Sequence, residues 1–417
     1  MEKPTSPLSG IAILGIGTAV PPHRLEQDDT AKRIAGGLAG HDDAARWVRR
    51  IFRQTSVETR YTCEPDLLQP AHLSRYAPGS TRPDIPATSE RLDVYRREAV
   101  PLALEAARRA LREGGVTASG ITHLITVSCT GLFLPGLDSE LVWRLGLSRD
   151  VNRIPLTFVG CAAGMTALRL ARELAAYDAR ARILIVCVEL CTIHIQPSVA
   201  REDLFAASLF GDGAAACVVG RAVPRRDGNA MAPAAPLRKD DVGEEAVPRK
   251  GGVFVLGRAR TTLIPDTMED MWWRVGDTGF RLYLSPQIPS LIGRYVPAEI
   301  ARLQEEGDDP APEWWAIHPG GRGIVDALQQ ALELTDAQTQ ASRDVLRRHG
   351  NMSSATILFV LREIRRELDA QAREPKRGMA LAFGPGMTAE LMRMDYVPAG
   401  APQAPVLPGE RDVAAVP

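Results

Sequence analysis

Neither sign of charge dominates this chain: 50 basic side chains stand against 51 acidic ones, for a formal charge of −1. With no basic field to attract them, nucleic acids and anionic lipid surfaces are set aside as partners. No apolar run reaches the roughly 18 residues that a membrane helix requires, so no membrane span is expected. The opening stretch MEKPTSPLSGIAILGIGTAVPP shows neither the basic leader nor the cleavage pattern of a secretory signal. Paired cysteine motifs are missing too. Cys63, Cys129, Cys161, Cys187, Cys191 and Cys217 are scattered through apolar runs, as in a reduced, cytoplasmic protein rather than a disulfide framework. Cys187 and Cys191 lie four apart with only one histidine near them, which is a poor zinc set, and no metal is expected.

What is present is a regular alternation. GIAILGIG, HLITVSC, RIPLTFVG, RILIVCVEL and AAACVVG are short apolar, β-branched runs. Helical patterns separate several of them, and VYRREAVPLALEAARRALREGG is an amphipathic helix ended by glycines. Strands that read as continuous apolar runs are buried on both faces, so the fold is α/β with a covered sheet. Residues 222–252 break the pattern with Pro, Gly, Ala and charge and little to bury. The chain therefore divides into an N-terminal half over 1–225, a flexible insertion over 226–252, a C-terminal half over 253–397 and a disordered tail over 398–417.

The halves echo each other. HLITVSCTG and WWAIHPGG are both strands running into glycine loops; FVGCAAGMTALRLAREL and RHGNMSSATILFVLREI are both loops running into apolar helices. LFGDGAAACVVG and GPGMTAELMRM are both glycine turns feeding strands. Three echoes in one order indicate a duplicated unit. A pseudo-twofold relation then places Cys161 opposite Asn351, each at a helix start, with His318 beside them.

Those three side chains suit acyl transfer. A helix N-terminus and an imidazole partner lower a thiol's pKa, and the thiolate accepts acyl groups from thioesters. N–H groups of His318 and Asn351 can hold the oxyanion that develops in acyl transfer and decarboxylation. Glycines 160, 164, 320 and 321 keep the backbone slim around a ligand. Each residue alone has an ordinary explanation: a packed thiol, a satisfied histidine, a helix N-cap.

Five motifs in order, GCAAG, LFGDGAAA, IHPGGRGIVDAL, HGNMSSATILFVL and FGPGMT, resemble those of the type III polyketide synthases, chalcone synthase-like enzymes of the thiolase fold. The resemblance covers about residues 10–396. It implies a duplicated five-layered αβαβα arrangement with two mixed sheets, and a homodimer. Cys161 corresponds to the acyl-accepting nucleophile; His318 and Asn351 correspond to the pair that lowers its pKa and promotes decarboxylation of malonyl-CoA. Phe210 and Phe280 resemble the two phenylalanines where the CoA tunnel meets the cavity, and Gly384, Pro385 and Gly386 the loop that shapes it. Thr130 and the retained Ser353 also fall at substrate positions. Cys129, Cys191, His194 and Met271 stand where the plant enzymes have small or hydroxylated cavity residues. Leu134 replaces a methionine that reaches into the neighbouring subunit. Arg50 and Arg53, with Arg49, are the expected contacts to CoA phosphates. CoA thioesters are the implied substrates and no further cofactor is called for. DTMEDMWWRVGDTGFRLYLSPQIPSLI is similar to bacterial enzymes that turn fatty acyl starters into alkylpyrones or alkylresorcinols. The competing readings are a single-condensation ketoacyl synthase III-like enzyme, an aromatic-product type III synthase using acetyl or malonyl starters, a cysteine hydrolase and an inactive binding protein.

Overall fold

The computed structural model describes residues 10–82, 84–224, 231–233, 251–305 and 310–399. The N-terminal half runs through β1 (Ile11–Ala19), β2 (His23–Glu26), α1 (Gln27–Gly36), α2 (Asp42–Gln54), β3 (Thr59–Thr62), α3 (Thr88–Gly114) and β4 (His123–Ser128). It continues through α4 (Leu137–Leu145), β5 (Asn152–Thr157), α5 (Ala163–Tyr177), β6 (Arg182–Leu190), α6 (Arg201–Leu209) and β7 (Asp212–Pro224). A short strand, β8 (Met231–Pro233), pairs with β7. The C-terminal half contains β9 (Val253–Leu263), β10 (Met271–Gly276), β11 (Gly279–Leu284), α7 (Ile288–Glu305) and β12 (Trp314–Ile317). It ends with α8 (Arg322–Ala331), α9 (Asp336–His349), α10 (Thr356–Gln371), β13 (Lys376–Gly384) and β14 (Thr388–Val397). Most of the expected insertion, at 226–230 and 234–250, and the tail from 400 lie outside the described residues.

The repeated unit is visible in the strand order. From a shared junction, one half runs β1-β7-β6-β4-β5 and the other β9-β14-β13-β12. The first two pairings of each series are antiparallel and the third is parallel. β4 and β12 therefore hold the same place, as the echo of HLITVSCTG and WWAIHPGG requires.

Apolar side chains sort these elements into layers. α3 and α4 pack on the N-terminal strands. α5 and α10 share a cluster with strands of both halves. α7 and α8 cover the C-terminal strands. The five layers are those expected, but the two mixed sheets are not separate. β1 and β9 pair at Ala12–Val255 and Ile13–Phe254, which joins both halves into one ten-stranded sheet. Two adjacent pairs suffice because the right-handed twist carries the strands apart on either side of the junction.

One strand departs from the double-sided burial read from its composition. β5 is an edge strand, paired on one side with β4, and its residues are exposed or half-buried. α3 ends as its sequence indicates: Gly115 takes the left-handed conformation at φ 63° that terminates helices.

Candidate active site

Cys161 lies between the exposed edge β5 and the buried α5, and two glycines set that turn. Gly160 has φ +83°, and a Cβ there would sit 2.1 Å from Pro385 Cδ. A Cβ on Gly164 would sit 2.4 Å from the Ser354 carbonyl oxygen, across the α5–α10 contact. Both glycines thus serve close packing of protein against protein, and Gly160 also borders the cavity beside the thiol. The arrangement seats the GPG loop over the turn that carries the thiol.

His318 follows β12, where its backbone N–H donates to the Leu381 carbonyl at 2.8 Å and anchors the loop to β13. Asn351 precedes α10. Its backbone is knitted to the α6–β7 junction, with its N–H on Leu209 O at 2.9 Å and Gly211 N–H on its carbonyl at 3.1 Å. Its side chain is not a simple helix cap. Oδ1 accepts from the Ser353 N–H at 2.8 Å, and Nδ2 donates to the Gly320 carbonyl at 3.2 Å.

All three residues line one cavity of about 670 Å³, within the ~300–1,000 Å³ common for small-molecule sites. Of the other residues expected there, Cys129, Thr130, Cys191, Phe210, Met271, Ser353 and Pro385 also line it. Gly384 and Gly386 flank Pro385 without joining the wall. Leu134 is 92% exposed and outside the cavity. Phe280 and His194 are buried but absent from the lining, one layer behind Phe158 and Trp273. Arg50 and Arg53 point into solvent. α2 instead lends the lining Trp47, Ile51 and Gln54, because a helix presents i, i+4 and i+7 to one side, and its C-cap Thr55 joins them. The guanidinium groups lining the cavity belong to Arg201 and Arg322.

Burial acts on both the thiol and the imidazole. Burial pushes the Cys161 thiol up to about 11, against the hydrogen bonds from Ser353 and Asn351 that favour its anion. Burial also lowers His318 to about 4, and neither of its ring nitrogens has a hydrogen-bond partner. Cys161 is only half-buried, but its open surface faces the enclosed chamber, so desolvation prevails. Burial thus opposes the charged form of both groups, while the Ser353 and Asn351 hydrogen bonds favour the thiolate.

Glu189 escaped the sequence reading because it sits within the apolar run RILIVCVEL. It is fully buried. Its carboxylate accepts from Thr130 Oγ1 at 2.8 Å, from Cys129 N–H at 3.0 Å and from the Ser354 hydroxyl. Cys129 Sγ lies 3.1 Å from Ser353 Oγ. This network fixes the floor under the thiol, and burial raises the Glu189 pKa. Phe158, Phe205 and Trp273 are further lining residues that sequence reasoning did not single out.

The profile described as "Chalcone and stilbene synthases, N-terminal domain" matches residues 6–223, and that of the C-terminal domain matches 255–398. The chain belongs to this family. Its members are type III polyketide synthases, and the synthase described here is an acyltransferase of that class. It is 35% identical over 397 residues to bisdemethoxycurcumin synthase of Oryza sativa subsp. japonica, covering 91% of each chain. Type III polyketide synthase 10 of the same plant is 31% identical, with 91% of this chain and 90% of that one covered. Among solved structures, the C-terminal type III domain of Steely1, a type I/III hybrid from Dictyostelium, superposes with a TM-score of 0.79 at 28% identity. That match covers 93% of this chain and 99% of the other. PKS-I of the brown alga Ectocarpus siliculosus gives 0.78 at 27% identity, over 93% and 98%. These neighbours establish the thiolase-like α/β fold.

All six cysteines are free thiols. Among the described residues no group of three His, Cys, Asp or Glu side chains is arranged to hold a metal ion. No described helix is long and apolar enough to cross a membrane.

Proposed function

We propose that the synthase loads a fatty acyl group from CoA onto Cys161 and extends it with malonyl-CoA. It then closes the chain, inside the same chamber, into an alkylpyrone or alkylresorcinol. One observation carries this reading: Cys161, His318 and Asn351, from three distant segments, border a single largely apolar cavity.

The resting protonation states shape the mechanism. A neutral His318 takes the Sγ proton as the thiol attacks the starter thioester, and passes it to the departing CoA sulfur. Acyl-Cys161 and free CoA result. Malonyl-CoA then places its thioester oxygen against N–H groups of His318 and Asn351. Its carboxylate leaves as carbon dioxide, and the electron pair left behind forms an enolate held by those donors. The enolate carbon attacks the acyl-Cys161 carbonyl and the sulfur departs as thiolate. The chain, two carbons longer, is now a CoA thioester. Electrons and atoms balance without a redox cofactor or a metal. Most of the chamber's lining surface is apolar, which limits water and protects the enolate from simple protonation.

The long-chain starter is supported by the apolar side chains of Leu282, Leu284, Pro286, Ile288 and Pro289, which line the same cavity as the thiol. Homodimer formation is supported by the edge β5 together with Leu132, Leu134 and Phe158, which are 48%, 92% and 45% exposed.

Mass spectrometry of products from a panel of acyl-CoA starters with malonyl-CoA tests this reading. Triketide or tetraketide alkylpyrones or resorcinols are expected, with none from Cys161→Ala. One added two-carbon unit points to a single-condensation enzyme, free fatty acid alone to a hydrolase, and preference for aromatic, acetyl or malonyl starters to the aromatic-product alternative.

A further inference from the structure

We propose that Arg60 is a positioning residue that aims the Asn351 carboxamide at Cys161, by fixing the α6–β7 junction on which the Asn351 backbone is seated. This rests on the oxyanion role given to Asn351 above.

Arg60 lies in β3 and is 0% exposed. Burial lowers its pKa to about 10, which leaves the guanidinium charged at neutral pH, and the charge of buried Asp212 favours that form. Only Nη1 is bonded: Nε and Nη2 have no hydrogen-bond partner among the described residues. Taking such a cation out of water is costly, so what Nη1 holds carries the argument.

Nη1 donates to the carbonyls of Ala207 at 2.6 Å and Phe210 at 2.8 Å. Both belong to the end of α6, where a helix leaves its last acceptors unused and carries partial negative charge. The carbonyls between them are taken by other segments. Ser208 O accepts from Gln27 Nε2 at 2.8 Å, and Leu209 O accepts from Asn351 N–H at 2.9 Å. The cation thus brackets, in sequence, the one carbonyl given to Asn351. The ring of Phe52 in α2 backs it, with the centroid 5.9 Å from the guanidinium carbon.

The Arg60 stem also packs against the C-terminal half. Gly350 has φ +67°, and a Cβ there would sit 2.9 Å from Arg60 Cγ and 2.5 Å from Leu209 O. A Cβ on Gly211 would sit 3.3 Å from Arg60 Cβ. Phe210 and Asn351 pair as a parallel bridge, closed by Gly211 N–H on Asn351 O at 3.1 Å. One side chain therefore holds the end of α6 with its head and abuts Gly350, the residue before Asn351, with its stem. From that seat the Asn351 carboxamide hydrogen-bonds to the thiol and clamps the Gly320 carbonyl.

A double-mutant cycle tests whether Arg60 acts through Asn351. Arg60→Met keeps a stem beside Gly350 and removes the cation; Arg60→Lys returns a cation with donors for the same two carbonyls. Each is made in the wild-type and Asn351→Ala backgrounds, and carbon dioxide release from malonyl-CoA gives kcat and KM. In folded Arg60→Met, kcat is expected to fall about 10²-fold, the cost of misplacing a group by roughly 1 Å, with KM little changed. Arg60→Lys is expected to recover most of the loss. On the Asn351→Ala background Arg60→Met is expected to cost little more. A loss that repeats in full on that background, a change in KM alone, or wild-type kcat in folded Arg60→Met overturns the proposal. Arg60→Gln, which keeps donors without charge, runs the same cycle if Arg60→Met does not fold. Decarboxylation needs no starter, so products other than alkylpyrones or alkylresorcinols would sink the starter reading alone. Asn351→Ala that decarboxylates at the wild-type rate would overturn the oxyanion role and this proposal together.

Discussion

The Asn351 side chain donates to the carbonyl oxygen of Gly320 at 3.2 Å, two residues beyond His318. One amide therefore clamps the histidine loop while its remaining N–H is available to the thiol and to a developing oxyanion. Asn351→Ala removes the clamp and the donor together. Malonyl-CoA decarboxylation is expected to fall by about 10²–10³-fold, the usual cost of losing one oxyanion donor. Asn351→Asp is expected to fall further, because a carboxylate repels the enolate. Carbon dioxide release measures both.

A second expectation concerns pH. The folded protein holds the Cys161 thiol at about 11, above its ordinary value, and His318 at about 4, below its ordinary value. Raising pH through the neutral range therefore increases the thiolate fraction about tenfold per unit, with no plateau. Alkylation of Cys161 by iodoacetamide in the ligand-free protein should climb steadily from pH 6 to pH 10. A plateau beginning near pH 7 would indicate a thiolate–imidazolium pair instead. The acid limb of acyl loading should not bend near the ordinary histidine value, since the ring stays neutral until pH approaches 4.

Gly160→Ala sets a Cβ against Pro385 in a left-handed backbone conformation. Strain of this kind costs about 1–3 kcal/mol, before counting the collision. A lowered thermal midpoint is expected. Adding Pro385→Gly should recover the collision part and leave the conformational part, which a double-mutant cycle resolves.

Met271→Ala empties space in the lining at the start of β10. The substitution is expected to cost about 2–5 kcal/mol, as buried methionine-to-alanine changes do. It should also move starter or product length upward in the same acyl-CoA panel. An unchanged profile in a folded variant would remove Met271 from the specificity wall.

How far the sequence alone could lead is clearest at particular residues. Cys161, His318 and Asn351 were legible because duplication supplied a geometric relation between segments nearly 200 positions apart, and motif order agreed with it. β5 was misread, since RIPLT has the composition of a core strand and only the sheet order reveals that it forms an edge. Phe280 and His194 were assigned to the cavity and stand behind it. Whether an aromatic forms a wall or backs one depends on neighbouring rings such as Trp273, which no periodicity encodes. Arg50 and Arg53 share a helix with cavity-lining Trp47 and Ile51 but extend from its exposed faces. Glu189 was hidden by its apolar neighbours, and its polar partners come from two other segments, 128–130 and Ser354. The thiol and imidazole pKa values depend on desolvation, which exists only after the chamber has closed.

The meeting of β1 and β9 bears on how such a catalyst arises. Two separate copies of the repeated unit, associating symmetrically, would build two equivalent clefts, each obliged to carry every chemical group. Linking the copies in one chain frees them to diverge. Here Cys161 comes from the first copy and His318 and Asn351 from the second, so under the proposed mechanism neither copy alone holds a complete reaction centre.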